Sequence, residues 1–177
     1  MSNVLNLTTP LTEADTRALN AGDIVKLTGV IYTGRDAAHK RLCKMLADGE
    51  TLPVDLAGQL IYFVGPCPAP PGRVIGSAGP TTSGRMDAYS PILIARCGLT
   101  GMIGKGGRSA AVVDAMKAHG AVYFGATGGA GALIARKIKS CEVVAFPELG
   151  TEAIHKLYVE DFPLVVAIDA EGNSLYD

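Results

Sequence analysis

The stretch GMIGKGGRSAAVVDAMKAHGAVYFGATGG, residues 101–129, decides how the fold reads. Met102-Ile103 is a short apolar run that ends in a glycine-marked turn, Gly104-Lys105-Gly106-Gly107-Arg108. From Ser109 to His119 the apolar residues recur at helical spacing, and Val122-Tyr123-Phe124 returns to a short β-branched and aromatic run. A strand, a turn, a helix and a second strand make the unit of a parallel sheet, since parallel neighbours need a long crossover connection.

The same order extends in both directions. Upstream, Ile24 to Tyr32 reads as a strand, Thr33-Gly34-Arg35-Asp36 as a turn, and Ala38, Leu42, Cys43 and Leu46 as the face of a helix ending at Asp48-Gly49. Pro53 and Gly58 bracket a linker, followed by strands at Leu60 to Val64 and around Arg73-Val74-Ile75. The proline-rich stretch Pro66 to Gly72 between them must be a loop, because it offers few amide donors to a ladder. A helix with Met86, Tyr89, Ile92 and Ile94 on its apolar face is expected after Gly79-Pro80. Downstream, the pattern predicts a helix from Ala130 to Lys139 and strands at Val143 to Ala145, Leu157 to Val159 and Leu164 to Ile168. Glu171-Gly172-Asn173 should form a hairpin turn between Ile168 and Leu175. Near the start, Thr12 and an acidic first turn from Glu13 to Asp15 predict a short helix stopping at Ala21-Gly22. The expectation is one α/β domain over residues 1–177, with a largely parallel central sheet flanked by helices.

Composition bounds the function. A domain of 177 residues can bury roughly 70% of its unfolded surface. Its 48% hydrophobic and 19% charged residues suit a packed core rather than disorder. The net charge of −1 supplies no overall field to recruit nucleic acid or a membrane surface, so any anion site must be local. The amino terminus lacks the basic-then-apolar pattern of a signal peptide, and apolar runs such as Val165 to Ile168 fall far short of the about 20 residues a bilayer span needs. A cytoplasmic protein is expected. Cys43, Cys67, Cys97 and Cys141 share no metal-site spacing, so no metal is expected on this chain and the thiols read as reduced, partly buried small hydrophobes.

In a parallel sheet the turns after each strand gather along one edge, where ligands of open α/β folds usually bind. Helix amino termini there present free amides and partial positive charge, which favour anions. Arg35, Arg85 and Lys105 each sit at or just before an expected first turn, where a cation is unfavourable by about 0.3–1 kcal/mol. Taken singly, each could be a solvated loop cation. Taken together on one edge, they suggest that something negative compensates them. A guanidinium meets a carboxylate in bidentate fashion. No turn matches the phosphate-loop or dinucleotide-binding patterns, so a carboxylate is favoured over a nucleotide. Thr81 and Thr82 fit a cap or turn equally well, Asp36 fits the first turn of its helix, and Asp87 could pair with a nearby cation. His39, four residues after Arg35, faces the same side of its helix and is either packed or a supporting group. Tyr62 and Tyr123 read as core.

These motifs also carry a resemblance. Thr33 to Arg41 (TGRDAAHKR), Gly79 to Asp87 (GPTTSGRMD) and Gly104-Lys105-Gly106 resemble the carboxy-terminal domain, or β subunit, of class I iron–sulfur fumarate hydratases. Glu148 to Ile154 and Val159 to Pro163 look like the same family, so the likeness covers nearly the whole chain. It implies a swivelling β/β/α fold and a hydro-lyase of the tricarboxylic acid cycle that interconverts fumarate and malate. It also implies an active site shared with an α subunit bearing a four-iron, four-sulfur cluster, whose open iron binds the substrate hydroxyl. By that resemblance Arg35, Arg85 and Lys105 bind the substrate carboxylates, Thr82 lines the site, and Thr81 is the candidate base toward the carbon-bound proton of malate. Threonine is a poor base near neutral pH without an activating neighbour, which in the family belongs to the cluster-bearing part. Alone, the chain should be inactive. The β subunit of L-tartrate dehydratase shares these turns and stands as the alternative, with a non-catalytic carboxylate-binding module or a purely structural subunit as further readings. Self-association into a homodimer is left open.

Overall fold

The computed structural model describes residues 4–126 and 134–176. Its strands are β1 (Val4–Thr8), β2 (Ile24–Thr33), β3 (Leu60–Tyr62), β4 (Gly101–Gly104), β5 (Val122–Ala126), β6 (Ile138–Ala145) and β7 (Ile154–Ile168). Its α-helices are α1 (Glu13–Arg17), α2 (Asp36–Ala47), α3 (Ser90–Cys97) and α4 (Ala110–His119). All seven strands join one sheet in the order β1-β2-β3-β4-β5-β7-β6.

The expected parallel sheet is present in part. β1 through β5 pair in parallel, each with the next, while β7 runs antiparallel to β2, β5 and β6. The extra β2–β7 pairing closes β2, β3, β4, β5 and β7 into a ring. One long strand achieves this by bending. Asp161 takes a left-handed φ of 50° beside a register irregularity in the β2–β7 ladder. On one side of that bend β7 pairs with β6, and on the other with β5. The two late strands expected from the sequence are therefore two halves of one.

Closure explains the continuous apolar runs. Leu60 and Tyr62 of β3, Ile103 of β4, Val122 and Phe124 of β5 and Leu27 and Ile31 of β2 share one buried cluster with Val159, Leu164 and Val166 of β7. Their alternates Ile61, Met102 and Tyr123 belong to a second cluster with Ala38 and Leu42 of α2, Leu93 and Ile94 of α3 and Val112 and Met116 of α4. Side chains alternate across a strand, so strands buried on both faces lose their polar positions. The helices α2, α3 and α4 thus share one face of the sheet, and the other face closes on itself.

Several expected boundaries move. β1 is an edge strand with no counterpart among the expected elements, and α1 stops at Arg17, short of Ala21. The stretch around Arg73-Val74-Ile75 is irregular, held instead by hydrogen bonds between Cys67 and the Gly76–Ser77 segment. After Gly79-Pro80 comes a 3-10 turn, Ser83–Met86, and only then α3, with Pro91 in its first turn. Leu93 and Ile94 are its buried apolar residues, while Ile92 is exposed. Of the helix expected from Ala130 to Lys139, residues 130–133 lie outside the described residues; Ile134-Ala135 are helical, Arg136-Lys137 turn, and Ile138-Lys139 already belong to β6. The turn after Ile168 forms as expected: Asp169 N donates to Asn173 O at 3.0 Å, and Ile168 bridges Ser174.

Candidate functional site

Because β2, β3 and β4 are parallel, the segments leaving their carboxyl ends share one edge of the sheet. Short-range contacts draw them together. Gly34 N donates to Tyr62 O at 3.0 Å and Thr81 N to Phe63 O at 2.7 Å, which fastens the segments after β2 and β3. Ser83 N donates to Lys105 O at 2.9 Å, and Thr82 bridges Lys105 in parallel pairing. Arg85 reaches across to Asp36, its Nε at 2.9 Å and one Nη at 2.8 Å from the same carboxylate oxygen. Arg35, Asp36, Thr81, Thr82, Arg85 and Lys105 accordingly lie on neighbouring turns of one edge.

Their surroundings differ. Arg35 is the N-cap residue of α2 and makes no side-chain cap bond. Its side chain is half-buried along Gly65, where a β-carbon would come within 3.0 Å of Arg35 Cδ. Its Nε is buried and has no hydrogen-bond partner among the described residues. Arg85, in the 3-10 turn, has spent two of its five donors on Asp36 and keeps the rest. Lys105 is exposed, and neither it nor Arg85 opposes a helix dipole as expected: α4 begins at Ala110 behind a Ser109 cap, and Arg85 lies in the last turn of the 3-10 segment. Thr82 is exposed as well, and no described residue hydrogen-bonds the hydroxyl of Thr81.

His39 lies beneath this edge rather than in it. Its Nδ1 is 2.8 Å from Arg35 O, and a carbonyl only accepts, so Nδ1 carries the proton and Nε2 is a buried lone pair without a described partner. The ring meets Phe63 edge-on with centroids 5.4 Å apart. Burial, with a smaller contribution from the nearby Arg108 charge, lowers its pKa to about 4. His39 is therefore neutral near pH 7.

Arg108 and Asp87, for which the sequence predicts no site role, stand under the turns. Arg108 closes the turn after β4, and its side chain is 0% exposed. Asp87 holds its Nε at 2.7 Å, Ser90 Oγ holds one Nη at 2.8 Å, and the guanidinium packs on the rings of Phe63 and Tyr123. The second oxygen of Asp87 accepts from Ser109 N at 2.8 Å. The pairing expected for Asp87 is thus realised with Arg108. Gly104 permits the closeness of these turns, since a β-carbon there would collide with Ser83 Oγ. The only sequence signal for Arg108 was its place in the glycine turn, and nothing in that turn distinguishes a buried brace from an exposed ligand.

Among the described residues, no three His, Cys, Asp or Glu side chains gather into a set that could hold a metal ion. No described helix is long and apolar enough to cross a membrane.

The fold and this edge define an α/β domain that gathers cations and threonine hydroxyls on adjacent turns. Comparison with known proteins gives the family. The whole chain, residues 1–177, matches the family described as Fumarase C-terminus, and it belongs to that family. It is 46% identical over 153 residues to the aerobic class I fumarate hydratase of Escherichia coli K12, covering 86% of this chain and 28% of that protein. It is 43% identical over 156 residues to fumarate hydratase 2 of Leishmania major, again covering 28% of that protein. The chain therefore spans little more than a quarter of these relatives. A Methanocaldococcus jannaschii protein named for the beta subunit of L(+)-tartrate dehydratase is 41% identical over 172 residues, which cover 94% of this chain and 88% of that protein.

Proposed function

We propose that this chain is the β half of an iron–sulfur hydro-lyase that reversibly hydrates fumarate to malate together with a cluster-bearing α partner. The observation that carries this reading is the convergence of Arg35, Arg85 and Lys105 on adjacent turns of one sheet edge, tied together by the Arg85–Asp36 pair and the Thr82–Lys105 bridge. Cations from separate segments suit a doubly charged acid, because each carboxylate can meet its own partner. The unpartnered Nε of Arg35 supports a role as a carboxylate donor. Membership of the family and the likeness to class I fumarate hydratases support the reaction.

The cluster is assigned to the partner. The four cysteines here lack the close spacing of a cluster-binding loop. When bound there, the cluster would supply a Lewis acid for the substrate hydroxyl. This chain's own residues would hold the carboxylates and place Thr81 beside the carbon that loses its proton. A threonine hydroxyl needs an activating neighbour to act as a base near neutral pH, and the likeness to class I fumarate hydratases supports a group on the partner in that role.

Subunit-length similarity to the Methanocaldococcus protein favours a second reading, the β subunit of L-tartrate dehydratase. Co-expression with the cluster-bearing partner and anaerobic assay on malate and on tartrate separates the two. Turnover of malate with little on tartrate is expected; a strong tartrate preference would reverse the assignment. Absence of turnover on both by the assembled, cluster-loaded pair would remove the hydro-lyase reading.

A further inference from the structure

The turn bearing Thr82 and Arg85 and the turn bearing Lys105 approach each other over one buried phenol. Tyr123 lies on the helix-packed face of β5 and is fully buried. Its hydroxyl is 2.7 Å from Ser83 Oγ and 2.7 Å from Gly106 O. The phenol has a single proton, and the Gly106 carbonyl can only accept, so the phenol donates to Gly106 and accepts from the Ser83 hydroxyl. The result is a directed chain from Ser83 through Tyr123 to Gly106. One end sits between Thr82 and Arg85, and the other is next to Lys105. The Ser83 N to Lys105 O bond of 2.9 Å doubles the link at the backbone. Arg108 packs its guanidinium 4.9 Å from the centre of the Tyr123 ring, and its Asp87 and Ser90 partners fix it in turn. Burial raises the phenol's pKa well above its usual value, so it stays a donor across the physiological range.

We propose that Tyr123 is a positioning residue for the carboxylate-binding edge, setting the spacing of Lys105 from Thr82 and Arg85 through its hydroxyl. It touches no substrate. Its effect passes through the Gly106 carbonyl to Lys105 and through Ser83 to the neighbouring turn. The inference rests on the proposed role of Lys105. A hydroxyl that only fills the core would matter to stability and leave substrate binding alone.

The test uses the chain assembled with its cluster-bearing partner. Tyr123→Phe keeps the ring, its packing and its contact with Arg108, and removes only the hydroxyl. It should lower kcat/KM by about tenfold, the scale of one or two hydrogen bonds. Ser83→Ala cuts the same chain from its other end, should cause a similar loss, and should add little to Tyr123→Phe. It also serves if Tyr123→Phe assembles poorly. In a Lys105→Met background the Tyr123→Phe change should shrink to less than about twofold, because interacting positions are not additive. Wild-type kcat/KM for Tyr123→Phe in folded enzyme, or the same factor with and without Lys105, would overturn the positioning role. If Lys105→Met alone retained wild-type kinetics, the site reading itself would fall, and this role with it.

Discussion

Arg35 and Arg108 each close a glycine-bearing turn between a parallel strand and a helix, and their surroundings could hardly differ more. The side chain of Arg108 is wholly buried, ion-paired with Asp87, hydrogen-bonded to Ser90 and packed on two aromatic rings. Arg35 is half-buried, and no described acid pairs with it. The helix behind Arg108 has a Ser109 cap bonded to Val112 N, whereas Arg35 as N-cap makes no such bond and Ala37 N of its helix donates to the distant Glu152 Oε1 at 3.3 Å. A satisfied guanidinium braces the structure. An unpaired one at a helix amino terminus has electrostatic capacity left for an anion.

Four measurements would break or sharpen this contrast. The largest effect belongs to Arg108→Met, which leaves the Asp87 carboxylate without its cation; a loss of about 3–5 kcal/mol in denaturant unfolding is expected. A loss below 1 kcal/mol would mean that Arg108 is no brace. Next is the pH dependence set by His39, whose pKa is about 4 in the fold against the ordinary 6.5 of an exposed histidine. The unfolded chain binds the proton first, so this histidine's contribution is complete above pH 6.5 and lost as pH falls through about 4. Unfolding free energy should decline by up to about 1.4 kcal/mol per pH unit inside that window. His39→Leu should lack this component, and an unchanged slope would contradict it.

Arg35→Met should show the opposite profile to Arg108→Met. In the assembled enzyme it should cost at least about 2–3 kcal/mol of transition-state binding in kcat/KM, with unfolding free energy altered by less than about 1 kcal/mol. Equal damage to stability would place Arg35 with the braces. Smallest is Ser109→Ala, expected to cost about 1 kcal/mol of stability through the lost cap while sparing KM.

Legibility followed the range of the forces involved. β2 and α2 were readable because their signals are local: a β-branched run, then apolar spacing of helical period ending at Asp48-Gly49. The helix expected after Gly79 starts only at Ser90, because the contacts of Ser83 with the β4 turn hold the preceding segment in a 3-10 turn and Pro91 suits a first helical turn. At the site, glycine turns marked where Arg35, Arg85 and Lys105 lie along the chain. The Asp36–Arg85 pair spans 49 residues and the Ser83–Tyr123 link spans 40, distances over which no local pattern reports.

From the sequence alone came the parallel β–α order, the basic turns and the likeness to one enzyme family, since helical period, turn chemistry and motif identity are all written within short windows. Tertiary structure alone decided that the sheet closes on itself, that Arg108 is buried while Arg35 keeps free donors, and that His39 stays neutral. Burial and pairing depend on which distant segments meet, and only the folded chain determines that.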